Sequence, residues 1–397
     1  MVRAFAAASF RRGDAERMTR PTPLLVTNQS AFDEMLTHLR AQPRIAIDTE
    51  ADSLYSYFEK VCLIQISIPE HDYILDTLSF RQIQPLGALF ADPAVELVFH
   101  AAEYDILLMK RDYDFVFANI FDTMVAARIL GWKQVGLGSI LEQQFNVKLD
   151  KRFQRADWGK RPLARELIEY ARNDTHYLLQ LYELERRALA QAGRLDEARA
   201  EFNKLTRVMW SEREFDPQRY ATLDGARELD PVALGALREL YLLRETLARK
   251  QDRPPFKVMS NVTLVRVARA QPRNLAELSE LPGVGEWFVR RHGREALQAI
   301  ERGIARPQMR LPRPPRGAPP LADVAARERY ARLKEWRKMR AAARDVEPDV
   351  IVSNDALLEM ARQNPQTLDA LTQLPALGEW KARAYGAELL AALHALK

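Results

Sequence analysis

The sequence predicts an α/β domain on a mixed sheet, followed by two all-α modules. Three observations carry that expectation. Short runs rich in β-branched residues come first and then alternate with helical stretches. No strand-like segment is found from Leu195 onward. The helical half repeats itself: Ser260-Asn261 recurs as Ser353-Asn354, Gln271-Pro272 is echoed by Asn364-Pro365, and Leu281-Pro282-Gly283-Val284-Gly285-Glu286-Trp287 recurs as Leu374-Pro375-Ala376-Leu377-Gly378-Glu379-Trp380. One offset serves all three matches, which marks two homologous helical modules.

With 397 residues the chain exceeds one ordinary core. Its 47% hydrophobic and 28% charged residues indicate a globular protein rather than a disordered one. A net charge of +5 permits a polyanionic partner without demanding one. The single cysteine, Cys62, excludes an intramolecular disulfide and fits a reducing cytoplasm. No apolar run has membrane-spanning length. Residues 1–22 read as a flexible tail, or as an upstream start before Met18; Asp14 and Glu16 argue against a transit peptide.

Leu24-Leu25-Val26 reads as a short strand after Pro21 and Pro23. Ser30 then reads as the N-cap of a helix ending near Pro43, with Asp33 and Glu34 in its first turn. Arg44-Ile45-Ala46-Ile47 is a buried strand that runs into Asp48-Thr49-Glu50. Val61–Ile68 is a second strong strand and Tyr73–Leu75 a third, spaced as adjacent hairpin-like strands. A helix over Gln82–Phe90 and a strand over Val95–Phe99 follow. Helices are then expected around Glu103–Arg111, Phe121–Leu130, Leu137–Phe145 and Leu163–Ala190. The α/β domain spans 23–204, the first helical module 205–303 and the second 322–397. Between the modules, 304–321 is rich in Pro and Arg and reads as an extended, semi-rigid linker.

The chemistry starts at the end of the Asp48 strand. Side chains alternate along a strand, so Asp48 and Glu50 share a face. Two acids closing an apolar strand repel each other, and a divalent cation is the strongest remedy. Asp105 lies just after the Val95–Phe99 strand, where α/β folds build sites. Tyr170 and Asp174, at i and i+4, share one helix face. Four carboxylates with a tyrosine and no Cys/His set suit Mg²⁺ or Mn²⁺ rather than zinc. Two such ions about 3.5–4 Å apart form the clamp for in-line phosphodiester cleavage. Asp122 reads as a helix-capping acid and His100 as a packed strand-end histidine.

Asp48-x-Glu50, Asp105 and Tyr170-x-x-x-Asp174 together resemble the three-motif pattern of the DEDDy 3′→5′ exonuclease superfamily. Gln154-Arg155-Ala156-Asp157-Trp158-Gly159-Lys160-Arg161-Pro162-Leu163 is similar to the segment before the third motif in the ribonuclease D family, with Ala156 where a serine is expected. The two modules resemble HRDC domains, and that order of domains is the ribonuclease D arrangement. The resemblance implies a ribonuclease H-like exonuclease domain with a mixed sheet, followed by two all-α HRDC-like domains. It implies that Asp48 bridges two metal ions, that Glu50 and Asp174 complete one site, that Asp105 holds the second, and that Tyr170 orients the nucleophile. It further implies release of nucleoside 5′-monophosphates from RNA 3′ ends, with transfer RNA precursors and other small structured RNAs as substrates.

A 3′-terminal base needs a platform, and Tyr55, Tyr57 and Phe58 follow Glu50 closely. Lys151, Arg152, Arg155, Lys160 and Arg161, with Phe153 and Trp158 interleaved, suit a single strand entering the site. The candidate substrate contacts are therefore Tyr57, Phe58, His100, Arg152, Gln154, Arg155, Trp158 and Arg161. The Leu281–Gly285 turn presents backbone N–H groups suited to phosphate, and its second copy keeps only Gly378. Trp287 and Trp380 read as core residues. A DNA exonuclease on the same scaffold and a catalytically silent RNA-binding protein remain the rival readings. Nothing in the sequence demands a dimer, so a monomer is expected.

Overall fold

The computed structural model describes residues 22–212, 214–308 and 323–395. The tail up to residue 21 and the linker over 309–321 lie outside the described residues. The chain divides into two compact units: residues up to 50, 61–210 and 323 onward form one, and 51–60 with 211–308 form the other.

In the first unit, β1 (Leu24–Val26) leads into α1 (Gln29–Arg40), then β2 (Arg44–Ala51), β3 (Val61–Ile68) and β4 (His71–Asp76). The chain continues through α2 (Gln84–Phe90), β5 (Glu96–Phe99), α3 (Glu103–Tyr113), β6 (Ile120–Asp122), α4 (Thr123–Leu130) and α5 (Leu137–Phe145). It closes with α6 (Arg165–His176), α7 (Leu178–Gln191) and α8 (Leu195–Leu205). The six strands form one sheet in the order β1-β4-β3-β2-β5-β6. β3 and β4 pair antiparallel, whereas β1–β4, β2–β5 and β5–β6 are parallel, so the sheet is mixed as expected. Every residue of β3 is buried. A strand covered on both faces carries an unbroken apolar run instead of alternation.

Three local expectations need correcting. The N-cap of α1 is Asn28, whose side chain accepts from the Ala31 N–H at 3.1 Å, and not Ser30. The Phe121 segment begins as strand β6, too short at Ile120–Asp122 to leave a periodic signal. The single helix expected over Leu163–Ala190 is two, α6 and α7, divided at Tyr177. Both halves are amphipathic, which hides the break from periodicity.

The second unit holds α9 (Pro231–Lys250), α10 (Pro255–Val258), α11 (Asn261–Ala270), α12 (Leu275–Ser279) and α13 (Glu286–Ile304). Helices α9 and α13 approach closely at Gly235 and Gly303. A Cβ on Gly235 would run into the Gly303 carbonyl, and one on Gly303 into the Ala236 backbone. Residues 51–60 pack on α9: the Tyr57 hydroxyl donates to Glu245, Arg249 lies over the Tyr57 ring, and the Phe58 N–H donates to Asp252 at 2.9 Å.

The second module returns to the first unit as α14 (Val324–Arg344), α15 (Pro348–Ile351), α16 (Asn354–Gln363), α17 (Leu368–Thr372) and α18 (Glu379–His394). The repeat reaches individual hydrogen bonds. Arg244 donates to the Met259 carbonyl and Asn261 at 3.0 and 2.7 Å, as Arg337 does to Val352 and Asn354 at 2.8 and 2.9 Å. The two central arginines thus close matching inter-helix turns. This module is fastened to α8. Arg344 spans both Glu197 oxygens at 2.9 and 2.6 Å, and buried Lys381 pairs with Glu201 at 3.1 Å. Val350 joins Phe121, Ala126 and Phe202 in one core cluster. Trp380 packs against its module's core as expected, but Trp287 is 45% exposed and is not a core residue.

Candidate active site

Asp48 and Glu50 leave the end of β2, Asp105 the first turn of α3, and Tyr170 and Asp174 one face of α6. Each position has a local cause. Ala101 takes a left-handed backbone, φ 65°, to turn the chain from β5 into α3. Asp122 pays for that turn: its carboxylate accepts the Ala101 and Ala102 N–H groups at 3.1 and 2.8 Å. The same carboxylate caps α4 through Met124 and Val125 at 2.8 and 3.1 Å, the capping role expected of it. Thr49 Oγ1 donates to Asp105 Oδ1 at 2.5 Å, tying α3 to the strand that carries the first two acids.

The four carboxylates and the tyrosine form one electrostatic neighbourhood. Burial, then Asp105, Asp174 and Glu50 in that order, hold Asp48 well above the ordinary carboxylate range. Burial followed by Asp174 and Asp105 pushes Glu50 up to about 9. Asp105, 8% exposed, rises to about 7 mainly through burial, against which Thr49 acts. Asp174 also rises to about 7, through burial and then Asp105. The Tyr170 hydroxyl is raised by burial and then by Asp174, Glu50 and Asp48, so it stays protonated.

Among the described residues no group of three His, Cys, Asp or Glu side chains is preassembled to ligate a metal ion. The acids are neighbours held apart rather than a closed cage. Their chemistry nevertheless fits a hard divalent cation. The donors are all oxygen, each is destabilised as an anion by burial, and the four oppose one another in the way a bound cation reverses.

The remaining candidates separate. Trp158 is 2% exposed and packs with Cys62, Leu63, Ile74 and Ala171, so it anchors the loop instead of meeting a substrate. The Tyr170 ring lies 6.0 Å from that of Trp158 and 5.9 Å, edge-on, from that of Phe153. Arg161 forks onto both Asp76 oxygens at 2.6 Å and reaches the Cys62, Trp158 and Lys160 carbonyls. Its guanidinium is spent on the fold, because Asp76 is buried and needs a counter-charge. His100 meets Thr123 Oγ1 at 2.8 Å, and burial lowers it to about 4, so it is a neutral packed residue. Arg152 pairs with Asp150 at 2.6 Å on the surface, and Gln154 and Arg155 are exposed beside it. In the other unit Phe58 is 61% exposed, whereas Tyr57 is held by Glu245 and Arg249.

Sequence reasoning missed Thr49 as the tether of Asp105, and it saw in Asp122 only a helix cap. Thr49 sits inside the Asp-Thr-Glu triplet, yet nothing in its spacing shows that it reaches α3. Asp122 carried a capping signal, but its hold on the β5–α3 turn is a tertiary contact.

A 3′-5′ exonuclease family model matches residues 23–187, and an HRDC domain model matches 233–300 and 326–393. Ribonuclease D of Acidiphilium cryptum is 31% identical over 385 residues, covering 93% of this chain and 93% of its own. The crystal structure of Escherichia coli RNase D, an exoribonuclease involved in structured RNA processing, aligns at 25% identity and a TM-score of 0.63, over 94% of this chain and 99% of that one. Exosome complex exonuclease RRP6 of Saccharomyces cerevisiae is 31% identical over 311 residues, 70% of this chain, which spans 41% of that relative's length. With a 3′-5′ exonuclease match followed by two HRDC matches, and a relative aligned over nearly the whole of both chains, the chain belongs to the ribonuclease D family of 3′→5′ exoribonucleases.

Proposed function

We propose that Asp48, Glu50, Asp105 and Asp174 hold two divalent cations, Mg²⁺ or Mn²⁺, at which RNA is shortened from its 3′ end to nucleoside 5′-monophosphates. The observation that carries the assignment is the mutual perturbation of four carboxylates drawn from β2, α3 and α6. When bound, the cations supply the charge neutralisation that phosphodiester hydrolysis needs. Tyr170 supplies the neutral hydrogen-bonding group. Its hydroxyl keeps its proton in this field and orients the attacking water. Thr49 holds Asp105 directly, and Asp122 fixes the turn that leads into its helix. Among the proposed substrate contacts of the first unit, the exposed Arg152, Gln154 and Arg155 keep surface to offer a single strand.

The substrates we assign are transfer RNA precursors and other small structured RNAs, acted on by a cytoplasmic monomer. The E. coli relative, involved in structured RNA processing, supports the substrate class. Among the described residues no helix is long and apolar enough to cross a membrane. Domain limits of 23–204, 205–303 and 322–397 accommodate the family matches.

Calorimetric titration with Mn²⁺ tests the metal assignment without relying on turnover. Two binding events are expected for the wild type and a loss of at least one in Asp48→Asn. An identical isotherm for both proteins would remove Asp48 from the site.

A further inference from the structure

Helix α6 delivers Tyr170 and Asp174, yet neither of its ends is fixed by a side-chain cap; Ala164 and Tyr177 occupy the cap positions. Polar side chains hold it on the opposite side. At 3.6 residues per turn, Arg172, Thr175 and His176 lie roughly 120–180° around the helix from the face of Tyr170 and Asp174. There they meet the β3–β4 hairpin. Asp72, 4% exposed, accepts from Ser67 Oγ at 2.6 Å, and its second oxygen lies 2.8 Å from His176 Nδ1. Ser67 Oγ also lies 2.7 Å from Thr175 Oγ1. Arg172 Nε comes within 4.0 Å of Asp72, while Arg172 Nη2 pairs with Glu169 at 2.9 Å.

We infer that Asp72 and His176 are positioning residues for the reaction: the Ser67–Asp72–His176–Thr175 cluster locks α6 in the rotation that presents Tyr170 and Asp174 to the other carboxylates. The inference rests on the roles given above to those two residues. A carboxylate as buried as Asp72 has lost water and depends on its donors. Turning α6 pulls His176 and Thr175 away, so the cluster resists rotation. The lever is long. Side-chain ends ride about 6 Å from a helix axis, so a slip of about 20° displaces them by about 2 Å. Misplacement by about 1 Å can cost about 100-fold in rate.

His176→Leu removes the donor to Asp72, and His176→Asn restores one near the Nδ1 position. Ser67→Ala is a milder cut, and Asp174→Asn reports on the site itself. The readouts are kcat and KM on single-stranded RNA with saturating Mn²⁺, the melting temperature, and Mn²⁺ affinity from the ion-dependent melting shift. The expected result is an inactive Asp174→Asn, with His176→Leu folded, about 10–100-fold lower in kcat, within about 2-fold in KM and weakened in Mn²⁺ affinity. His176→Asn should recover most of the rate and Ser67→Ala should fall between. The inference is overturned if Asp174→Asn is inactive while His176→Leu and Ser67→Ala keep wild-type kcat, or if His176→Asn falls as far as His176→Leu. If His176→Leu does not fold, Ser67→Ala decides alone. An active Asp174→Asn removes the underlying site assignment, and the inference goes with it.

Discussion

Glu50→Gln should stabilise the metal-free protein while destroying its activity, and the gain should depend on pH. Glu50 holds its proton in the folded chain up to about pH 9, whereas its unperturbed value is 4.5. Between those limits the folded state binds more protons than the unfolded one, so stability falls as pH rises. The slope is at most about 1.4 kcal/mol per pH unit. Near pH 8 the accumulated cost is therefore at most about 5 kcal/mol. Water entering the partly open site, and the shared titration of its neighbours, reduce this to about 1–2 kcal/mol. Glutamine carries no such cost. In chelator near pH 8 the variant should melt about 2–6 °C above wild type. The difference should vanish as the pH falls well below 4.5, where both states hold the proton. Saturating Mn²⁺ should reverse the order, because only the wild type keeps its full ligand set. Thermal unfolding of both proteins across that pH range is the assay. A variant no more stable than wild type near pH 8, or a gap that does not change with pH, would refute the reasoning.

Other consequences follow from individual contacts. Tyr170→Phe should lose about 10–100-fold in kcat with little change in KM, and should keep its Mn²⁺-linked melting shift; steady-state kinetics and melting curves check both. Arg161→Ala leaves Asp76 buried without its fork and should cost about 3–5 kcal/mol in urea unfolding, with Arg161→Lys recovering only part. Gly303→Ala forces a methyl into the Ala236 backbone and should destabilise by at least about 1–3 kcal/mol in the same experiment.

How much of this was legible in the chain depends on the range of the interaction. The strand pattern around Ile45–Ile47 and Val61–Ile68 is local, and the sheet follows it closely. The acids were legible because two-residue and four-residue spacings place side chains on one face regardless of context. The repeat was legible because residues recur at one offset, among them the asparagines that receive Arg244 and Arg337. What failed was long-range. A tryptophan in a basic loop suits RNA or core equally well, and only the fold shows Trp158 under the loop. Arg161 looked available until Asp76, far away in sequence, was found beneath it. Trp287 and Trp380 stand at matching positions, yet one is exposed and the other packs against its module's core. No periodicity separates them.

The central claim is that the four carboxylates drive metal-dependent 3′→5′ hydrolysis of RNA. It is tested most directly with a 5′-labelled single-stranded RNA, incubated with Mg²⁺ or Mn²⁺ and with chelator, for wild type and Asp48→Asn, beside a matched DNA. The account predicts a ladder shortening from the 3′ end of the RNA that requires the ion and is absent from the variant. Intact RNA with wild type and either ion, or an undiminished ladder with Asp48→Asn, would contradict it.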